Sequence, residues 1–137
     1  MILVDTNVLS ETSRRDGNIV VLDWIARHAH ELHIPVFVVA ELRFGCERLE
    51  NSRSRNRLER WLADLLSFYH DRIVPFEQAD ADLHGRVRAR LQQMGRPASA
   101  PDSYIAAMGL ARKCPVATRN DTDFAPSGVE IVNPWKD

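Results

Sequence analysis

Met1-Ile2-Leu3-Val4-Asp5-Thr6-Asn7 opens the chain with an aliphatic run that stops abruptly at a carboxylate, a hydroxyl and an amide. Four consecutive apolar residues bounded by turn formers fit a strand buried on both faces, as in a parallel sheet. Ligands of open α/β sheets collect at the carboxyl ends of such strands, which is where Asp5 falls. Asp and Asn also follow strands simply to start turns or to cap the next helix. Asp5 therefore acquires chemical meaning only if the rest of the chain supplies partners.

The remaining pattern alternates short apolar runs with helical ones, the mark of an α/β protein. A short helix is expected from Val8 to about Arg14, and a second, capped by Asn18, through about Ala29 with Val21, Leu22, Trp24, Ile25 and Ala29 inward. Ile34-Pro35-Val36 reads as a brief strand whose proline does not suit a central, fully paired position. Val38 to Leu49 follows as a helix with Val38, Leu42, Gly45, Cys46 and Leu49 on one face. Ser52 or Ser54 opens another to about Tyr69, with Leu58, Trp61, Leu62, Leu65 and Phe68 buried. Ile73–Phe76 is a third strand. Glu77 to about Met94 is a long helix with Leu83, Val87, Leu91 and Met94 inward, ended by Gly95 and Pro97. Pro101-Asp102-Ser103 introduces an apolar helix over Tyr104–Arg112, and strands follow at Val116–Thr118 and Val129–Val132. The expected architecture is a mostly parallel sheet with helices on both sides, folded as a single domain over residues 1–137.

Composition narrows the class without naming a function. At 45% apolar and 27% charged residues, with net charge −1, the chain gives no global electrostatic reason for a nucleic-acid or membrane partner. Its basic residues are sixteen arginines and two lysines, and Arg suits planar, bidentate contacts to phosphate or carboxylate. Cys46 and Cys114 form no CxxC or Cys/His pattern, which argues against a disulfide framework or a cysteine-rich zinc site. With no signal-like N-terminus and no membrane-spanning run, the expectation is a soluble, cytoplasmic protein.

Four acidic positions stand at the end or edge of apolar elements. Asp5 ends the first strand, and Glu41 lies beside Val38, Leu42 and Gly45 at the border of a buried helical stripe. Asp102 precedes the most apolar helix, as an N-cap that leaves one oxygen for a cation. The fourth comes from Thr118-Arg119-Asn120-Asp121-Thr122-Asp123-Phe124, a polar cluster past the fourth strand in which Asp121 and Asp123 both qualify. Converging carboxylates repel one another and raise their pKa values unless a cation is present. An all-oxygen donor set suits Mg²⁺ or Mn²⁺, which activate water for displacement at a phosphodiester.

Asp-Thr-Asn after the first strand, Glu-Leu on a following helix, Asp before an Ile-Ala-Ala helix and Thr-Arg-Asn-x-x-Asp-Phe near the end occur in an order that resembles PIN-domain ribonucleases. More narrowly the chain resembles the VapC-type toxins of the FitB-like branch, over essentially its whole length to Val132-Asn133-Pro134-Trp135. The resemblance implies a three-layer α/β/α sandwich and a metal-dependent endoribonuclease. It makes Asp5, Glu41, Asp102 and Asp123 the catalytic, metal-binding acids, with Asp121 a further candidate. Asn120 stands where many members carry an Asp. Thr6 and Asn7 would support the first acid, while Thr118, Arg119 and Asn120 would shape the pocket or contact RNA. It further implies a VapB-like or FitA-like antitoxin partner that plugs the pocket with a basic residue, an RNA substrate, a homodimer and a higher assembly with antitoxin.

Other signals point elsewhere. His30-Glu31-Leu32-His33 is one residue too short for HExxH, and histidines near a helix C-terminus answer the helix dipole. The arginines at 53, 55, 57 and 60 and at 86, 88 and 90 read first as solvated helix faces, with phosphate binding the alternative. Asp5 could instead act as a phosphoryl-accepting nucleophile. Haloacid-dehalogenase-type phosphatases, however, place a second Asp where this chain has Asn7. A non-catalytic RNA-binding module is the third reading.

Overall fold

Leu3 and Val4 have no exposed surface, as a strand covered on both faces requires. They belong to β1 (Ile2–Val4), the middle strand of a five-stranded sheet with β2 (Leu32–Pro35), β3 (Ile73–Val74), β4 (Val116–Ala117) and β5 (Ile131–Val132). All neighbours pair in parallel, in the order β3-β2-β1-β4-β5. The computed structural model describes residues 1–97 and 99–136.

Around the sheet lie α1 (Thr6–Ser10), α2 (Ile19–His28), α3 (Val36–Glu47), α4 (Arg53–Phe68), α5 (Gln78–Gln93), α6 (Ala100–Arg112) and the four-residue α7 (Asp121–Phe124). Strand order runs outward from β1 to β2 and β3, then crosses back to β4 and β5. Right-handed crossovers place α1–α4 on one face and α5–α7 on the other. The result is the three-layer α/β/α arrangement expected. The order reverses between β1 and β4, and the crevice beyond their carboxyl ends is where such sheets bind ligands. Leu3 pairs with Val116 and Val4 with Ala117, so the next residues out, Asp5 and Thr118, emerge side by side at that point.

Several sequence expectations shift. β2 is an interior strand despite its proline. Pro35 is its last residue, and β1 pairs only with Leu32 and His33, so the missing N–H is not needed there. The same proline is the N-cap of α3, which starts at Val36 rather than Val38. β3 and β5 are two residues long instead of four. Phe68 and Met94, expected inward, are 52% exposed at the ends of their helices. Met94 is the C-cap of α5, and Gly95 in the left-handed region (φ 68) closes a Schellman turn, with Arg96 N–H donating to Leu91 O at 2.8 Å.

The apolar character expected of α6 is met: Ile105, Ala106, Ala107 and Met108 are almost wholly buried. At Gly109 a Cβ would stand 2.8 Å from Val129 Cγ2 and 3.0 Å from Val116 Cγ2, so the helix rests directly on the sheet. The far end of α6 is held to α5 by a bidentate ion pair. Arg112 Nη1 lies 2.6 Å from Asp80 Oδ1 and Nη2 3.0 Å from Oδ2, with Asp80 only 1% exposed. Cys46 and Cys114 are buried free thiols. Among the described residues no helix is long and apolar enough to cross a membrane.

Candidate active site

Asp5 is pinned before it does any chemistry. Its backbone N–H donates to Ala117 O at 2.9 Å, which extends the β1–β4 ladder by one step. Oδ1 accepts the Thr6 N–H at 2.8 Å and so caps α1. Oδ2 accepts the Thr118 hydroxyl at 2.8 Å and the Asn7 amide at 3.2 Å. The capping and the functional readings of Asp5 are therefore compatible, because different oxygens serve them. The carboxyl is only 4% exposed. Burial pushes its pKa from 3.8 up to about 6 against the opposing hydrogen bonds from Thr118 and Thr6, with repulsion from Asp102 and Glu41 adding to the rise.

Thr118, fully buried at the end of β4, is the hub of this corner. Besides donating to Asp5, its oxygen accepts the Asn120 N–H at 3.0 Å and the Asn7 amide at 3.4 Å. Asn7 bridges the two loops, since its Oδ1 accepts the Arg119 N–H at 3.1 Å. Thr6 serves a second acid, its hydroxyl donating to Glu41 Oε2 at 2.7 Å. Glu41 is half-buried on α3, consistent with its position at the edge of the apolar stripe. Three residues in a row thus hold the site: Asp5 supplies a carboxylate, Thr6 orients another, and Asn7 locks the opposite loop.

Asp102 is not the cap of α6. The helix begins at Ala100 with Ser99 as N-cap, and Asp102 is its third residue. Pro101 fits the first turn because those N–H groups have no partner within the helix. Desolvation raises the pKa of Asp102, the Ser99 side chain opposes this, and Asp123 and Glu41 raise it further. Asp102 and Asp123 share a cleft of about 310 Å³ with Arg96, Ser99 and Thr122. The second half of the polar cluster past β4 is α7, which carries both remaining acids.

Those two acids have different fates. Asp121 accepts from Lys136 Nζ at 2.7 Å and from Asn133 Nδ2 at 3.2 Å, and these partners lower its pKa. Its charge is already answered by the C-terminal segment. Among the described residues Asp123 has no such partner; it is exposed and repels Asp102. The guanidinium of Arg119 lies 5.1 Å from the Trp135 ring, so the backbone of Arg119, not its charge, enters the network around Asp5.

Sequence reading missed Arg96, Ser99 and Thr122 as neighbours of the acids. Ser99-x-x-Asp102 has capping-box spacing, a local signal that points to Ser99. Arg96 carried no local signal, since the left-handed turn at Gly95 delivers it. The donor set consists of carboxylates with hydroxyl and amide neighbours and no His or Cys, which is chemistry for a hard divalent cation. Among the described residues no three His, Cys, Asp or Glu side chains stand close enough to enclose an ion by themselves. That is compatible with Mg²⁺, which keeps several waters and typically takes one or two carboxylates from a protein.

A PIN domain matches residues 2–126. The toxin FitB of Neisseria gonorrhoeae is 35% identical over 139 residues, covering all of both chains. The VapC ribonuclease Y4jK of Sinorhizobium fredii is 34% identical over 141 residues, covering 99% of each. The crystal structure of FitAcB from Neisseria gonorrhoeae superposes with a TM-score of 0.92 at 34% identity, covering 98% of this chain and 99% of that one. The chain belongs to the PIN-domain family.

Proposed function

We propose that this protein is a divalent-metal-dependent endoribonuclease that serves as the toxin of a toxin–antitoxin pair. The observation that carries the reading is Asp5. It is a buried carboxylate with a pKa near 6, mounted at the sheet's switch point and under repulsion from Glu41 and Asp102. At neutral pH the ionised form of such a group costs the fold stability unless a cation relieves it. Asp5 and Asp102 would hold Mg²⁺ or Mn²⁺, with Glu41 and Asp123 completing the acidic ring. When bound, the ion supplies the Lewis acidity that lowers the pKa of water and offsets charge on the phosphodiester.

The chain's own residues do the positioning. Thr118 and Asn7 fix the Asp5 carboxylate, and Thr6 fixes Glu41. Arg96, beside Asp102 and Asp123, offers a cation to a phosphate oxygen that the acids would otherwise repel. The names of the VapC ribonuclease and of the FitB toxin support the activity and the toxin role. The inhibitory partner is a small FitA-like antitoxin that brings a basic side chain to the acidic pocket, and the active form is a homodimer.

The test is RNA hydrolysis by purified, antitoxin-free protein. Single-stranded RNA should be cut internally with Mg²⁺ or Mn²⁺, and EDTA should stop the reaction. Cleavage that continues in EDTA, or no cleavage with either ion across varied RNA sequences, would sink the proposal.

A further inference from the structure

Away from the acids, one concavity of about 300 Å³ is lined by Arg15, Arg53, Ser54, Asn56, Arg57 and Arg60. All six are exposed. None of the four arginines has a carboxylate within ion-pair distance among the described residues. Arg55, on the same helix, behaves in the opposite way, paired with Glu47 at 3.0 Å and Glu59 at 3.1 Å. Arg53, Arg57 and Arg60 fall at i, i+4 and i+7, one face of α4, and like charges at that spacing repel. In a chain of net charge −1, this concentration of unanswered guanidinium is a cost to the fold.

The concavity also adjoins a groove that leads to one of the acids. Arg57 Nη1 donates to Ser13 O at 2.8 Å. Ser13, Leu58 and Trp61 in turn line a groove of about 620 Å³ that reaches Thr6 and Glu41. The basic surface therefore adjoins, through the Arg57–Ser13 contact, a groove that reaches Thr6 and Glu41 of the candidate active site.

We infer that Arg15, Arg53, Arg57 and Arg60 form a phosphate-binding anchor for single-stranded RNA, separate from the acids and beside the groove that leads to them. The inference rests on the ribonuclease reading for its choice of polyanion. Guanidinium groups take phosphate oxygens in bidentate pairs, and the seven-residue span from Arg53 to Arg60 is about 10 Å long, enough for more than one phosphate of a strand. An acidic pocket repels a polyanion until metal is bound, so holding the strand by a separate basic surface raises the local substrate concentration. Affinity of this kind is insensitive to base sequence and falls steeply with salt.

The experiment is fluorescence anisotropy of a labelled single-stranded oligoribonucleotide with the full-length protein in EDTA, across a salt series. Because Arg57 braces Ser13, the main variant is Arg15→Gln/Arg53→Gln/Arg60→Gln, with a triple Arg→Lys variant at the same positions as the charge-retaining control. The neutral variant should bind at least about 10-fold more weakly at low salt, and its log–log salt slope should fall by about 2. The Lys variant should keep most of the slope. Metal-dependent hydrolysis of a diribonucleotide, too short to reach the concavity, should be unchanged in both. Wild-type affinity and slope in the neutral variant would overturn the inference, as would a wild type that does not bind RNA in EDTA. Loss of affinity for the antitoxin alone, with RNA binding intact, would also overturn it by making the surface a protein contact. Absence of metal-dependent cleavage in the wild type would count against the ribonuclease reading instead, and the two failures are read from separate assays.

Discussion

Asp5→Asn is expected to abolish metal-dependent RNA cleavage, by about 10³-fold or more, while making the metal-free protein more stable at neutral pH. Most inactivating substitutions of buried residues do the reverse. The raised pKa of Asp5 is the cause. A carboxyl held at about 6 in the fold and at 3.8 when unfolded binds its proton more tightly in the native state. Its contribution to stability is fully present below pH 3.8 and is lost as pH rises through about 6, a difference on the order of 3 kcal/mol. Asn carries no charge and escapes that loss.

Part of the gain is given back. An amide NH₂ in the place of Oδ2 would face the Asn7 amide, now 3.2 Å away, and could not accept the Thr118 hydroxyl. A net gain of about 1–2 kcal/mol at pH 7 remains, or several degrees in Tm. The gain should vanish below about pH 4, where wild-type Asp5 is itself neutral. Thermal unfolding of both proteins in EDTA from acid to neutral pH checks this. A variant that is inactive and also less stable at pH 7 would mean that the hydrogen bonds outweigh the buried charge.

Arg112→Met is expected to produce the largest loss of stability, about 3–5 kcal/mol and about 10 °C or more in Tm. Arg112 satisfies both oxygens of a carboxylate that is 1% exposed, and also donates to Met108 O at 3.0 Å and to Pro75 O at 3.3 Å. Removing it leaves Asp80 desolvated and unpaired at the packed interface of α5 and α6. The pH dependence has the opposite sign from that at Asp5. The Arg112 partnership and the Glu77 N–H outweigh desolvation and hold the Asp80 pKa below 3.8. The stabilisation is thus present above pH 3.8 and is lost as pH falls through the lower native value. The gap between wild type and Arg112→Met in chemical denaturation should narrow in strong acid. An undiminished Tm at pH 7 would contradict a structural role for the pair. α6 carries Arg112 at one end and Asp102 at the other, so the variant should also weaken metal binding.

The fold was largely readable because its decisive signals are local. Met1–Val4 reads as a buried strand, Asn18 and Ser52 cap the helices that follow them, and Gly95 ends α5. What local pattern could not deliver were facts made by tertiary contact. Pro35 argued against an interior strand, yet at a strand's last residue its missing N–H costs nothing. Asp102 reads as a cap because it stands directly before the most apolar stretch, yet the helix already starts at Ala100 and takes Pro101 into its first turn. Nothing in the spacing of Asp121 and Asp123 separates them. Lys136 and Asn133 do so, by neutralising Asp121 from a strand and a turn away. Thr118 lies 113 residues from Asp5 in sequence, and only the β1–β4 register makes its hydroxyl the partner of that carboxylate.

Asp5 and the acids that face it are proposed to bind a catalytic divalent ion. Calorimetric titration of Mn²⁺ into the wild type and Asp5→Asn at about pH 7.5, where Asp5 is ionised, tests this most directly. Saturable binding is expected in the wild type, weakening as pH falls through about 6, and is expected to be lost in Asp5→Asn. Equal Mn²⁺ affinity in the two proteins, or none in the wild type, would contradict it.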